Sequence, residues 1–359
     1  MRIQENTRYR GFTAKMDRPS RLIRLSSKAS EHDAQRDPGN SDSYTHQPGA
    51  MPSKDSGATL MTGKNPTTIP RRQLGRELRE LRHGAGLSIA DAARLIERGA
   101  GTLQRLEKGE SPRIRQLDIE ALCKIYSATS RMKALKALAA QADERTRPVD
   151  DSCWWQRYED LIPEDFGTYL SLESAAAKVI MYQADVVPGI VQTADYARAL
   201  DRLFFKSDRP MELEQRIQVR MQRQAALTRG LSPVEVDLLL DESVLRRIVG
   251  GKRIMAAQLR KLADTPPNVR VRIIPFSAGL PLGIATGPFV ILHFPTDLST
   301  QRPVEPTTVY AESYGSRLYY DSADIVNRYL GAHESISRVA LTEADSKRLL
   351  RQVAKEFET

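Results

Sequence analysis

The sequence predicts a small all-α module of five helices followed by a larger α+β domain in which helices precede a small sheet. Three observations carry this division. Apolar residues recur at helical spacing from Leu74 to Ala140. The pattern breaks at a charged stretch around Pro148, and strand-length apolar runs begin at Val234. The charge is also uneven: against a formal total of +9, residues 71–147 carry 17 Lys/Arg and 10 Asp/Glu, while residues 148–359 carry 26 and 28. At 359 residues there is room for two cores. The expected organisation is a disordered tail at 1–68, a helical domain at 69–142, a linker at 143–150 and a C-terminal domain at 151–359.

Residues 1–68 are rich in Ser, Asp, Gly, Pro and Arg, without a periodic apolar face, and bury too little to order themselves. Met51 and Met61 both precede the first helix, so a chain begun at either loses no core residue. A chain begun at Met61 is expected to fold as well as the full one.

Leu74, Leu78 and Leu81 recur at i, i+4, i+7 and predict a first helix over 71–83, ending near Gly84 and Gly86. Ser88, with Asp91 three residues on, caps a second. Its alanines, Ala92 and Ala93, together with Ile96, permit a close helix crossing. Glu97-Arg98-Gly99 makes a turn, Leu103 and Leu106 return a third helix to the same core, and Gly109 stops it. Gly101, Thr102 and Arg105 are then left facing outward. A short helix docked across another and presenting polar residues has the geometry that enters a DNA major groove. Ile119, Leu122, Ile125 and Tyr126 give a fourth helix, and Met132 to Ala140 a fifth. Arg71, Arg72 and Arg76 ahead of the pair, and Lys108, Arg113 and Arg115 behind it, are placed to reach phosphates. About five such contacts per half-site predict a log affinity falling with log salt at a slope near −4 to −5.

LGRELRELRHGAGLSIADAARLIERGAGTLQRLEKGE resembles the helix-turn-helix of phage repressor-like (XRE/Cro) regulators. The resemblance implies that Arg82, late in the first helix, pairs with Glu107 at the end of the recognition helix. It also implies that bases are read by Ala100, Gly101, Thr102 and Arg105, with Gln104 on the same helix as a further DNA-binding residue. Ala100 and Gly101 depart from the usual polar residues and offer no side-chain hydrogen bond. Ile89 stands where a phosphate-binding Gln is common, and Gly99 where Ser or Thr usually caps. Arg105, able to bond guanine O6 and N7 together, is the one strong reader.

In the second domain Trp154, Trp155, Tyr158 and Leu161 cluster at helical spacing as anchors of a core or an interface. Residues 166–182 read as one long helix with Ala175-Ala176-Ala177 at a close crossing. Thr193 caps another helix. Residues 211–229 form a further one, on which Arg216, Arg220 and Arg223 share a face. Like charges at that spacing repel unless neutralised, in part by Glu212. The row is either a salt-bridged, solvated face or the candidate surface for an anionic ligand or acidic partner. VEVDLLLDE, VRVRIIPF, GPFVILHF and TTVYAES read as four strands, the second with one wet face carrying Arg270 and Arg272. Gly250-Gly251 precedes a helix over 252–263, Ser322 or Asp324 opens another, and Thr342 with Asp345 caps the last. WWQRYEDLIPEDFGTYLSLE, VPGIVQTADYARAL, RMQRQAAL, LDESVLRRIVGG and VRIIPFSAG are similar to a C-terminal domain of unassigned chemistry. That domain is common behind this module in actinobacterial antitoxin-like regulators, often encoded beside a small partner protein.

Cys123 and Cys153 give no disulfide framework and fit a reducing cytoplasm. Five scattered histidines lack ligand spacing, no apolar run approaches a membrane span, and no cofactor motif is present. Asp237, Asp241 and Glu242 crowd one strand end without a nucleophile or metal spacing beside them, and Gly250-Gly251 lacks the Lys-Ser/Thr of a phosphate loop. The expectation is a non-enzymatic, cytoplasmic regulator of transcription that binds double-stranded DNA. It acts as a homodimer through the second domain, where Trp154, Trp155, Tyr158 and the apolar last helix are the candidates for subunit contact. The alternative is a protein-interaction module whose DNA binding is weak or lost.

Overall fold

The computed structural model describes residues 67–358 apart from 112, 144–150, 164–165, 207–208, 231, 298–300 and 315. The expected tail up to residue 66 and most of the expected linker lie outside the described residues. Five helices form the first module: α1 (Ile69–Gly84), α2 (Ile89–Leu95), α3 (Ala100–Glu107), α4 (Gln116–Ile125) and α5 (Met132–Ala142). The Ser88 side chain caps α2 by accepting from the Asp91 amide at 3.1 Å. Leu74, Leu78, Ala92, Leu103, Ile119 and Leu122 meet in one fully buried core. Gly75 sets the α1–α3 approach, since a Cβ there would lie 2.5 Å from the Glu107 carbonyl oxygen.

The second domain follows as a 3-10 stretch (Asp151–Leu161), α6 (Phe166–Ala175), β1 (Lys178–Gln183), α7 (Ala194–Phe204), α8 (Pro210–Arg223), β2 (Glu235–Asp241), α9 (Glu242–Arg246) and α10 (Lys252–Ala263). It continues with β3 (Val269–Ile274), β4 (Phe289–His293), β5 (Thr308–Ser313), β6 (Ser316–Tyr320), α11 (Ala323–Val339) and α12 (Glu343–Glu356). The six strands form one mixed sheet in the order β3-β2-β1-β4-β5-β6. β1, β2 and β3 run parallel, and β4, β5 and β6 extend the sheet antiparallel.

Two elements differ from the sequence reading. Residues 166–182 are a helix and then a strand, because β1 is the strand on which the parallel and antiparallel halves meet. Its neighbouring side chains enter opposite cores, Val179 and Met181 one and Ile180 the other, so no alternation marks it in sequence. β6 adds a sixth strand by a tight hairpin from β5. The face expected to be wet is covered by α11, whose Val326 and Ile336 pack on Ile180, Leu239 and Ile291. There Arg272 pairs with Asp237 at 3.2 Å, while Arg270 stays outside with Glu343 at 2.9 Å.

The expected subunit-contact residues are drawn into the fold. Trp155 is 1% exposed in the main core, and Leu350 and Val353 of α12 belong to the same cluster. Gly250 adopts φ +69 and turns the chain tightly, since a Cβ would approach that of Ala199 to 2.6 Å.

Candidate nucleic-acid interface

α3 is the exposed member of the helix pair. Leu103 and Leu106 hold it to the core, and Ala100, Gly101, Thr102, Gln104 and Arg105 face solvent. Gly99 precedes it without any side-chain cap, which leaves first-turn N–H groups without a capping side chain. Lys108 is half-buried, and Arg113 and Arg115 are exposed. Arg105, Arg113 and Arg115 form no ion pair among the described residues. Neighbouring arginines are engaged: Arg94 with Asp91 at 2.5 Å, Arg98 with Asp118 at 2.8 Å, and Arg131 with Glu77. A patch of exposed positive charge therefore lies on and just after α3.

Behind that surface lies a buried ion pair. Arg82 donates from Nε to Glu107 Oε1 at 2.7 Å and from its second terminal nitrogen to Oε2 at 2.9 Å, the two-point geometry that fixes both side chains. It also donates to the Leu87 carbonyl at 2.9 Å. The hydrogen bonding to Glu107 holds the Arg82 charge above its ordinary range despite burial. The pair ties the end of α3 to α1, and Arg79 adds a bond to the Glu107 carbonyl at 2.9 Å.

The basic start of α1 is not part of the surface. Arg71 is 1% exposed and donates to the Ala142 carbonyl. Arg72 is buried against Glu305, with Asp321 at 3.4 Å. Arg76 donates to the same Glu305 at 2.7 Å and to the Val304 carbonyl. Burial works against the Arg72 charge, and attraction to Glu305 more than offsets it, so its pKa is raised. These three were expected at phosphates. Arg72 and Arg76 join the helical module to the second domain instead, because this turn of α1 faces protein and a charge there requires a carboxylate, while Arg71 bonds to α5 of its own module. Sequence reasoning missed Glu305 and Thr67, which lie in irregular segments without a pattern. The Thr67 amide donates to Thr168 Oγ1 at 3.1 Å, and its hydroxyl donates to the Gly109 carbonyl at 2.6 Å.

The second candidate surface also turns inward. Arg220 reaches Asp201 at 3.0 Å and Gln192 at 2.8 Å, and Arg216 lies 3.7 Å from Asp201 and over the Phe205 ring. Arg223 makes two bonds to Glu173, at 2.7 and 2.8 Å. Asp201 and Glu173 thus neutralise the row, while Glu212 caps its own helix. Burial, reinforced by Arg223 and Arg216, lowers the Arg220 pKa against the pull of Asp201. The three guanidinium groups border an open cavity of about 630 Å³. Among the described residues no His, Cys, Asp and Glu cluster could hold a metal, and no helix is long and apolar enough to cross a membrane.

Two family models match this chain. One, described as a helix-turn-helix domain, covers residues 73–145. The other, described as a domain of unknown function (DUF5753), covers 166–352, more than half of the chain. No curated protein and no solved structure matches. The helix-turn-helix match points to a DNA-binding regulator.

Proposed function

We propose, for a chain that belongs to the DUF5753 family and carries a helix-turn-helix domain ahead of it, that it is a sequence-specific transcription regulator of the XRE/Cro type. It is antitoxin-like, works in the cytoplasm and has no catalytic activity. It binds double-stranded DNA as a homodimer, while the second domain receives a signal or a small partner protein. The observation that carries the reading is α3: exposed Thr102, Gln104 and Arg105 on a helix fixed from behind by the Arg82–Glu107 pair. Dimerisation is required by the spacing of two half-sites about one DNA turn apart. It is supported by exposed Phe276, Leu280 and Ile284 beyond β3.

Ala100 and Gly101 favour the second reading, a protein-interaction module, because neither bonds a base edge. A gel shift against the DNA upstream of the coding region separates the two. Withdrawing Arg71, Arg72 and Arg76 leaves Lys108, Arg113 and Arg115. The expected slope of log affinity on log salt is therefore near −3 per half-site and about −5 to −6 for a dimer. Undetectable binding at low salt would favour the interaction module, and a strictly monomeric chain on sedimentation would contradict the dimer.

A further inference from the structure

The cavity beside α8 has the composition of a small-molecule site. Its volume of about 630 Å³ lies in the range of ligand pockets. Leu161, Met181, Leu203 and Val219 supply apolar wall, and Phe166 and Phe205 supply ring faces. One side is arginine-rich. Arg223 lies over the rings of Phe166 and Tyr169, and Arg216 sits 3.8 Å from the Phe205 ring centre. A guanidinium carries five N–H donors, and Arg220 commits one terminal nitrogen to Gln192 and the other to Asp201. Burial and the two neighbouring arginines disfavour its charge while Asp201 supports it, and an acidic group in the cavity would add to that support. The planar guanidinium also matches a carboxylate or sulfonate better than a diffuse charge.

The same walls hold the helical module. On α6, Phe166 and Tyr169 line the cavity while Thr168 accepts the hydrogen bond from Thr67. Thr67 in turn donates to Gly109, the residue that ends the recognition helix region. There is little slack at this point, since a Cβ on Gly109 would lie 2.9 Å from the Thr67 hydroxyl. Tyr310 of β5 also lines the cavity, and the segment entering β5 carries Glu305, the partner of Arg72 and Arg76.

We propose that this cavity is an effector site for a small organic anion, an apolar ring-sized body bearing one acidic group. Its occupation reaches the recognition helix through Thr168, Thr67 and Gly109. The relay rests on the regulator reading above; the site does not.

The test uses the full chain and two probes, the aromatic sulfonate 8-anilinonaphthalene-1-sulfonate and its neutral analogue N-phenyl-1-naphthylamine. The sulfonate should bind saturably at one site. Arg220→Met should weaken it about tenfold or more while leaving the neutral probe within about threefold. Leu203, at 65% exposure on the rim, gives a second variant that does not threaten the fold. Leu203→Glu should weaken the sulfonate, and Leu203→Lys should not. Sulfonate binding that is absent, unsaturable or indifferent to both Arg220→Met and Leu203→Glu would overturn the site. For the relay, saturating sulfonate should change DNA affinity by about threefold or more, and DNA should change sulfonate affinity by the same factor. Thr67→Val should abolish this coupling and keep sulfonate binding. Coupling that survives Thr67→Val would overturn the relay. Failure to bind DNA without any probe would overturn the regulator reading, and the relay with it, while the sulfonate titrations alone decide the site.

Discussion

Glu107→Gln is expected to destabilise the protein by as much as about 3–5 kcal/mol, because it leaves the Arg82 guanidinium buried without its countercharge. The carboxylate is 2% exposed and accepts two bonds from Arg82, and solvent is not available to replace them. Glu110→Gln, three residues on and outside the pair, is the control and should fall within about 0.5 kcal/mol of the parent. Chemical denaturation of the full chain measures both. Because the pair anchors the end of α3, Glu107→Gln should also weaken DNA binding under conditions where the chain remains folded. Equal midpoints for the two variants would show that the pair contributes nothing to the helical core.

The second large effect is expected at the join between the modules. Glu305 is fully buried and serves both Arg72 and Arg76, so Glu305→Leu takes the nearest carboxylate from one buried and one half-buried guanidinium, with Asp321 at 3.4 Å still beside Arg72. A loss of about 3–5 kcal/mol is the expected cost. The double substitution Arg72→Leu with Glu305→Leu should recover the part due to Arg72, since a matched apolar pair replaces buried ions at little cost or some gain, while Arg76 turns to solvent. The single variant should also split unfolding into two transitions, as the helical module loses its hold on the second domain. A single cooperative transition at the parent midpoint would show that Arg72 and Glu305 do not join the modules.

Much of the helical module is legible in sequence because its first three helices announce themselves twice, by apolar spacing and by a cap or terminator. Ser88, Gly99 and Gly109 bound the helix pair as its leucines and alanines require. The second domain is legible where strands alternate or run long, as in β2, β3 and β4. It fails at β1, where Ala175-Ala176-Ala177 favours a helix and the three successive buried residues Val179, Ile180 and Met181 carry no period. The polar faces were the least readable part. Arg71, Arg72 and Arg76 fall on one end of an amphipathic helix, and Arg216, Arg220 and Arg223 on one stripe. Spacing says that each row is shared, not whether water, DNA or a distant carboxylate meets it. Glu305 and Asp201 decide that question, and both come from more than 200 residues or one helix away. The outward residues of α3 escape this ambiguity because Leu103 and Leu106 fix which side faces in.

If α3 reads DNA through Arg105, an anisotropy titration of labelled upstream DNA will separate the full chain from Arg105→Ala. The substitution is expected to cost about 1–3 kcal/mol of binding and to relax preference at one base pair, while the salt slope falls by no more than about one per half-site. Binding that is equally tight and equally selective without the Arg105 side chain would contradict it.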